Sequence, residues 1–315
     1  MMEKNRPTVG LALSGAGNRS SFYIGFLEVL DENNINLDYI VAMSGASLVS
    51  AAYACKTMPA FKEKILALDS KGVKALLSKG REGGLYSLDG LEKELKLNYT
   101  KGFTFDEVRP LLSFVAADIH TGEIVDLCIG DIAKAACASC TLPGVFSPVE
   151  WGNRTLVDGG ILSQVPVTSL KKFGPDVTIG VNMRGTKNIF SSKLITFKKV
   201  LNFFRKIFFI GKLETFIDQF IGDDEDQKRD LGLFAVLGKS LDVVIKAIKN
   251  GESEPEDADL MIIPELIHPN KSEFSPKTSQ FYYKAGREVA LDNLHLIRQV
   301  IKKKAEAQEK ETILA

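Results

Sequence analysis

The stretch Tyr39-Ile-Val-Ala-Met-Ser-Gly-Ala46 decides the fold. Its first five residues are apolar without alternation, as a strand covered on both faces requires. Ser44-Gly45 breaks the run, and Leu48, Ala51, Ala52 and Cys55 continue at helical spacing as a face of small residues. Upstream, Pro7-Thr-Val-Gly-Leu-Ala-Leu13 is another short apolar run that stops at Ser14-Gly-Ala-Gly17. Phe22, Phe26, Val29 and Leu30 then recur with helical period. Two successive strand–turn–helix units call for crossover connections. The spacing therefore predicts an α/β fold of three layers, with a mainly parallel central sheet and helices on both faces.

Downstream, Leu112–Ala117 and Ile124–Cys128 read as strands paired across the turn Asp118–Gly122. A short helix is expected over Ile132–Ala138, ending before Pro143. Thr155-Leu-Val157 runs into Asp158-Gly159-Gly160, and further strands are expected at Val177–Val181 and Leu260–Ile263. Helices over Leu231–Ile248 and Ser279–Lys304 close the chain. No internal repeat is visible. We expect one domain over residues 1–315, with an inserted charged segment at 190–230.

The composition excludes several classes. Of 315 residues, 45% are hydrophobic and 25% charged, which is globular rather than disordered. Forty basic and forty acidic residues cancel, so a global nucleic-acid surface is not expected. Four cysteines do not make a disulfide framework in a chain of this length. The uncharged stretch Ile40–Cys55 falls short of the ~20 apolar residues of a membrane span. The run Val9–Leu13 is too short for a secretory leader. A soluble cytoplasmic protein with peripheral membrane contact is the expectation.

That contact has a candidate segment. Between Lys193 and Lys212 there are six basic residues and no acidic ones; between Glu214 and Asp226 there are six acidic residues and no basic ones. Phe197, Val200, Leu201, Phe204 and Phe208 share one helical face, and Lys198, Lys199, Asn202, Arg205 and Lys206 share the other. Such a basic amphipathic helix suits a membrane interface, with Lys198, Lys199, Phe204, Arg205, Lys206 and Phe208 as docking residues. The plain alternative is a surface helix packing its phenylalanines on the core.

Ser44 stands where a buried strand gives way to a helix, between small residues. A nucleophile elbow needs this arrangement, because strand and helix backbones pass close and the hydroxyl must project beyond the sheet. The competing reading is an ordinary helix N-cap serine. Ser47 lies a turn inside the helix and points away. The loop Ser14-Gly-Ala-Gly-Asn-Arg19 can present successive N–H groups to an oxyanion or a phosphate. A dinucleotide fingerprint would need glycine at position 20, where Ser20 stands, and an acidic residue at the end of the second strand, where Ser44 stands. The oxyanion reading is preferred. Asp158-Gly159 alone is a common turn dipeptide. None of His120, His268 and His295 follows a strand as a hydrolase triad histidine would. Cys137-Ala-Ser-Cys140 has redox spacing but reads as small buried residues, and no metal site is expected.

Together these segments resemble the patatin-like phospholipases, lipid acyl hydrolases with a Ser-Asp dyad. Leu11–Arg19 is similar to the family's glycine-rich oxyanion loop, and Ile40–Ala46 to its nucleophile elbow. Ala138-Ser-Cys-Thr-Leu-Pro143 resembles the segment that precedes the dyad aspartate. Val157-Asp-Gly-Gly-Ile161 resembles the Asp-Gly-Gly motif. The resemblance is strong over about residues 7–183 and loose over 231–300. It implies Ser44 as nucleophile and Asp158 as base. It also implies an oxyanion hole from Gly15, Ala16 and Gly17, ordered by Arg19, with Gly159 and Gly160 supporting. No cofactor is implied. The implied substrate is a phospholipid or lysophospholipid at a membrane surface, and nucleic acid is not a partner. Alanines at 16, 42 and 46 and serine at 20, where the family often has glycine, leave a catalytically weak or inactive patatin-like protein that binds membrane lipid as the alternative.

Overall fold

The structure, a computed structural model, describes residues 6–183, 257–266 and 274–314, together with Val236 and Ser240. The charged segment at 190–230, its docking face and most of the helix expected over Leu231–Ile248 lie outside the described residues.

The chain opens with β1 (Val9–Leu13), α1 (Ser21–Glu32), β2 (Tyr39–Met43), α2 (Gly45–Ala54), α3 (Met58–Ala67) and α4 (Ser70–Ala75). A hairpin of β3 (Ser78–Lys79) and β4 (Gly84–Ser87) leads to α5 (Asp89–Asn98). Next come β5 (Leu111–Asp118), β6 (Ile124–Leu127), α6 (Ile132–Ser139), β7 (Gly144–Phe146), β8 (Val149–Trp151), β9 (Arg154–Asp158) and α7 (Val167–Lys171). The remaining described elements are β10 (Val177–Val181), β11 (Leu260–Ile262) and α8 (Pro276–Leu314).

The main sheet runs β11-β10-β1-β2-β5-β9-β8, with β6 also paired to β5. The first five of these strands are parallel, as the crossover pattern predicts; β6 and β9 run antiparallel to them, and β8, antiparallel to β9, returns to their direction. Strand β5 joins the two parts. Phe114 and Val115 pair with β2 and also with β6, so those two strands lie on opposite edges of β5. Ala116 and Ala117 pair with β6 and also with β9, so β9 lies opposite β6 as well. Strands β2 and β9 therefore share one edge of β5 and meet end to end.

Both faces of the sheet are covered. Val9, Leu11 and Leu13 of β1 pack with Phe22, Phe26 and Leu30 of α1 and with Tyr282, Ala290 and Ile297 of α8. On the other face Ala12, Val41, Met43 and Val115 pack with Val167 and Leu170 of α7. Full burial of each Val, Leu, Ile, Phe or Met side chain among these contributes about 1.5–3 kcal/mol relative to exposure.

Helix α8 is longer at both ends than the expected Ser279–Lys304. Ser275 accepts a hydrogen bond on Oγ from the Thr278 N–H (3.2 Å), and Pro276 suits the first helical position. Beyond Lys304 the helix continues through good helix formers, with Lys302 and Glu306 paired one turn apart at 3.6 Å. Helices α1 and α8 touch backbone to backbone. A methyl group on Gly25 would overlap the Tyr283 carbonyl oxygen, and one on Gly286 would overlap that of Phe22. Arg287 pairs with Glu32 at 2.7 Å, and the Ser21 hydroxyl donates to the Ser279 carbonyl at 2.8 Å.

Candidate active site

Strand β2 is buried from Ile40 to Met43, and its parallel neighbours β1 and β5 fix its register. The chain then turns into α2 through one residue. Ser44 has φ 56° and ψ −137°, and its side chain makes no capping bond. An N-cap serine has β-region dihedrals and accepts from the second or third helical N–H; Ser44 does neither. Holding a non-glycine residue there costs on the order of 1–3 kcal/mol. Its small neighbours Ala42 and Ala46 are fully buried. Ser47, by contrast, is buried and donates its hydroxyl to Ser139 Oγ at 3.0 Å.

Asp158 ends β9, where β9 meets β2. Met43 faces Val115 across the sheet and Asp158 faces Ala116. Those partners are consecutive residues of β5, one rise of about 3.3 Å apart. Ser44, the next residue after Met43, thus leaves the sheet at the junction where Asp158 arrives. Asp158 is buried, and its Oδ1 accepts from the Gly160 N–H at 2.8 Å. Its own N–H donates to the Thr141 carbonyl at 2.8 Å. A methyl on Gly159 would sit 2.7 Å from the Val115 carbonyl oxygen, so glycine is required for this approach.

The glycine-rich loop is the third part. Ala16 accepts on its carbonyl from the Arg19 N–H at 3.1 Å and from Arg19 Nε at 3.3 Å. Arg19 also donates to the Met183 carbonyl at 2.9 Å, which ties the loop to the end of β10. Gly17 takes the left-handed φ of 57° and its carbonyl accepts from the Ser20 N–H at 3.2 Å. The loop abuts the elbow: a methyl on Gly45 would lie 2.9 Å from the Gly17 carbonyl oxygen. Ser14 anchors the start, accepting on Oγ from the Met183 N–H at 2.9 Å.

The remaining candidates stand apart. His120 is exposed in the β5–β6 turn and His295 is exposed on α8, while His268 lies outside the described residues. The cysteines are free. Burial pushes the Cys137 thiol well above its ordinary range and the Cys55 thiol up to about 11. Among the described residues no cluster of three or more His, Cys, Asp or Glu side chains could hold a metal ion. No helix among them is long and apolar enough to cross a membrane.

Sequence reasoning named the Ala138–Pro143 segment but gave Ser139 no role. The Ser44 N–H donates to Ser139 Oγ at 2.9 Å. No local signal in the sequence pointed to it, since the two residues lie 95 positions apart.

Comparison with known proteins gives the family and the fold. The sequence model of the patatin-like phospholipases matches residues 11–171, and the chain belongs to that family. It is 28% identical over 185 residues to an uncharacterised NTE family protein of Mycobacterium tuberculosis, covering 58% of this chain and 50% of the relative. It is 27% identical over 179 residues to Lysophospholipase NTE1 of Meyerozyma guilliermondii, covering 56% of this chain and 12% of that protein. The chain thus matches half or less of the length of these two relatives. The crystal structure of VipD from Legionella pneumophila superposes with a TM-score of 0.51 at 14% identity, covering 95% of this chain and 67% of that one, a likeness of fold.

Proposed function

We propose that the protein hydrolyses carboxylic esters of phospholipids or lysophospholipids through an acyl-serine intermediate. The observation that carries this reading is Ser44, held at positive φ without a capping bond at the junction where Asp158 enters. Asp158 accepts the Ser44 hydroxyl proton as Oγ bonds to the ester carbonyl carbon. The carbonyl electron pair moves onto oxygen, facing N–H groups of Gly15, Ala16 and Gly17. The carbonyl oxygens of Ala16 and Gly17 are already bonded within the loop, which supports a donor role for the backbone there. The oxyanion collapses, and the leaving alcohol takes the proton from Asp158. Water repeats the sequence to release the fatty acid. Preorganised donors of this kind are worth about 2.7–4 kcal/mol each. The yeast relative's name supports a lysophospholipid as substrate. We treat residues 1–315 as one unit, supported by α8 packing on α1.

Ser44→Ala should abolish both fluorophosphonate labelling and hydrolysis of a short-chain nitrophenyl ester. Asp158→Asn should keep the fold and lose turnover. Wild-type hydrolysis by Ser44→Ala would remove the assignment.

Peripheral docking through residues 193–212 completes the proposal, and the free cysteines suit a cytoplasmic location. Each Lys or Arg near an anionic bilayer contributes about 1 kcal/mol. Reversing Lys198, Lys199, Arg205 and Lys206 to Glu should strip binding to anionic vesicles and slow vesicle hydrolysis, while sparing the soluble ester. Co-sedimentation at low and high salt reads this directly; equal binding by wild type and variant would count against docking there.

A further inference from the structure

The end of α6 touches both proposed reacting residues. Ser139 is fully buried, and its Oγ makes three hydrogen bonds. It lies 2.7 Å from the Val115 carbonyl oxygen, 2.9 Å from the Ser44 nitrogen and 3.0 Å from Ser47 Oγ. A serine hydroxyl offers one proton and two lone pairs. The Val115 carbonyl can only accept, so the Ser139 proton goes there. The Ser44 N–H can only donate, so it takes one lone pair, and the Ser47 hydroxyl donates to the other. Every direction at Ser139 Oγ is thereby assigned, with no capacity left over. Two residues later the Thr141 carbonyl accepts the Asp158 N–H at 2.8 Å.

We propose that Ser139 is the positioning residue of the site: by capturing the Ser44 N–H it holds the nucleophile at positive φ and aims its hydroxyl. The inference rests on Ser44 being the nucleophile. Without this acceptor the Ser44 peptide is free to rotate out of a sparsely populated region, carrying Oγ with it. A displacement near 1 Å costs on the order of 100-fold in rate. Ser139 has no exposed surface and cannot touch substrate, so the loss falls on turnover and not on binding. Fixing the Ser44 N–H also removes it from the oxyanion donors, leaving that task to the glycine loop.

The test compares Ser139→Ala with Ser47→Ala, which removes a different bond from the same hydroxyl. With a short-chain ester, Ser139→Ala should lower kcat 10- to 100-fold, with KM within about twofold and an unchanged pH profile. Ser47→Ala should hold kcat within about twofold. A Ser139→Ala enzyme at wild-type kcat, or one that falls only in step with Ser47→Ala, overturns the proposal. If the alanine variant does not fold, Ser139→Thr and Ser139→Cys replace it. Threonine keeps the oxygen acceptor and should turn over faster than cysteine; equal rates overturn the proposal. Ser44→Ala separates the two readings. If it stays active, the nucleophile assignment fails; if it is dead while Ser139→Ala runs at full rate, only this inference fails.

Discussion

Two strand-to-helix turns lie side by side at the carboxyl end of the sheet and differ in how they handle strain. From β1 to α1 the chain uses residues 14–20, and its left-handed position is Gly17. From β2 to α2 it uses one residue, and the left-handed position is Ser44. Glycine accepts positive φ without steric penalty, whereas serine does not. The long turn needs no side chain at Gly17, and on the proposed mechanism it supplies backbone donors. The short turn carries strain at Ser44, which on the same mechanism presents its hydroxyl. On the proposed mechanism, the costly conformation falls in the turn that carries the reacting side chain.

The largest effect that tests this contrast is expected at Gly45, where the turns touch. A methyl there meets the Gly17 carbonyl oxygen at 2.9 Å and Ser20 Cβ at 3.2 Å. One turn must move from the other, so Gly45→Ala should cost roughly 10- to 100-fold in kcat in a protein that remains folded. Steady-state kinetics on a soluble ester, beside a circular dichroism melt, reads both quantities. Gly17→Ala should do less. A methyl there has nothing within 4 Å, so only the positive φ penalises it. The expected cost is about 1–2 kcal/mol of stability, seen as a lower Tm, with turnover within a few-fold. Equal loss of turnover at the two glycines would break the contrast. The smallest effect is expected at the exposed histidines: His120→Gln and His295→Gln should each stay within about twofold of wild type. A drop of about 10⁴ at either would mean a triad in place of the dyad.

The parallel strands were legible because burial on both faces leaves continuous apolar runs such as Tyr39–Met43 and Val177–Val181. Ser44 was legible because an elbow is local: a strand, one residue, small neighbours. The junction of β2 with β9 was not, since it arises from two strands sharing one edge of β5, far apart in the chain. Ser139 was missed for the same reason. Its bond to Ser44 spans 95 residues, and no local pattern marks a buried hydroxyl acceptor. The small sheet β3-β4-β7 was invisible because its strands hold two to four residues, below any readable period.

The glycine-to-backbone contact between α1 and α8 sets an order of events during synthesis. The family match ends at residue 171, yet the groove on α1 is filled by residues that begin at Pro276. At about 5–20 residues per second, the first helix waits on the order of 10–50 s for its partner to emerge. Through that interval the face around Phe22 and Gly25 lacks the cover that α8 supplies. A fragment stopped at 171 would lack α8 altogether, and it is expected to be less soluble than the full chain when the two are expressed side by side.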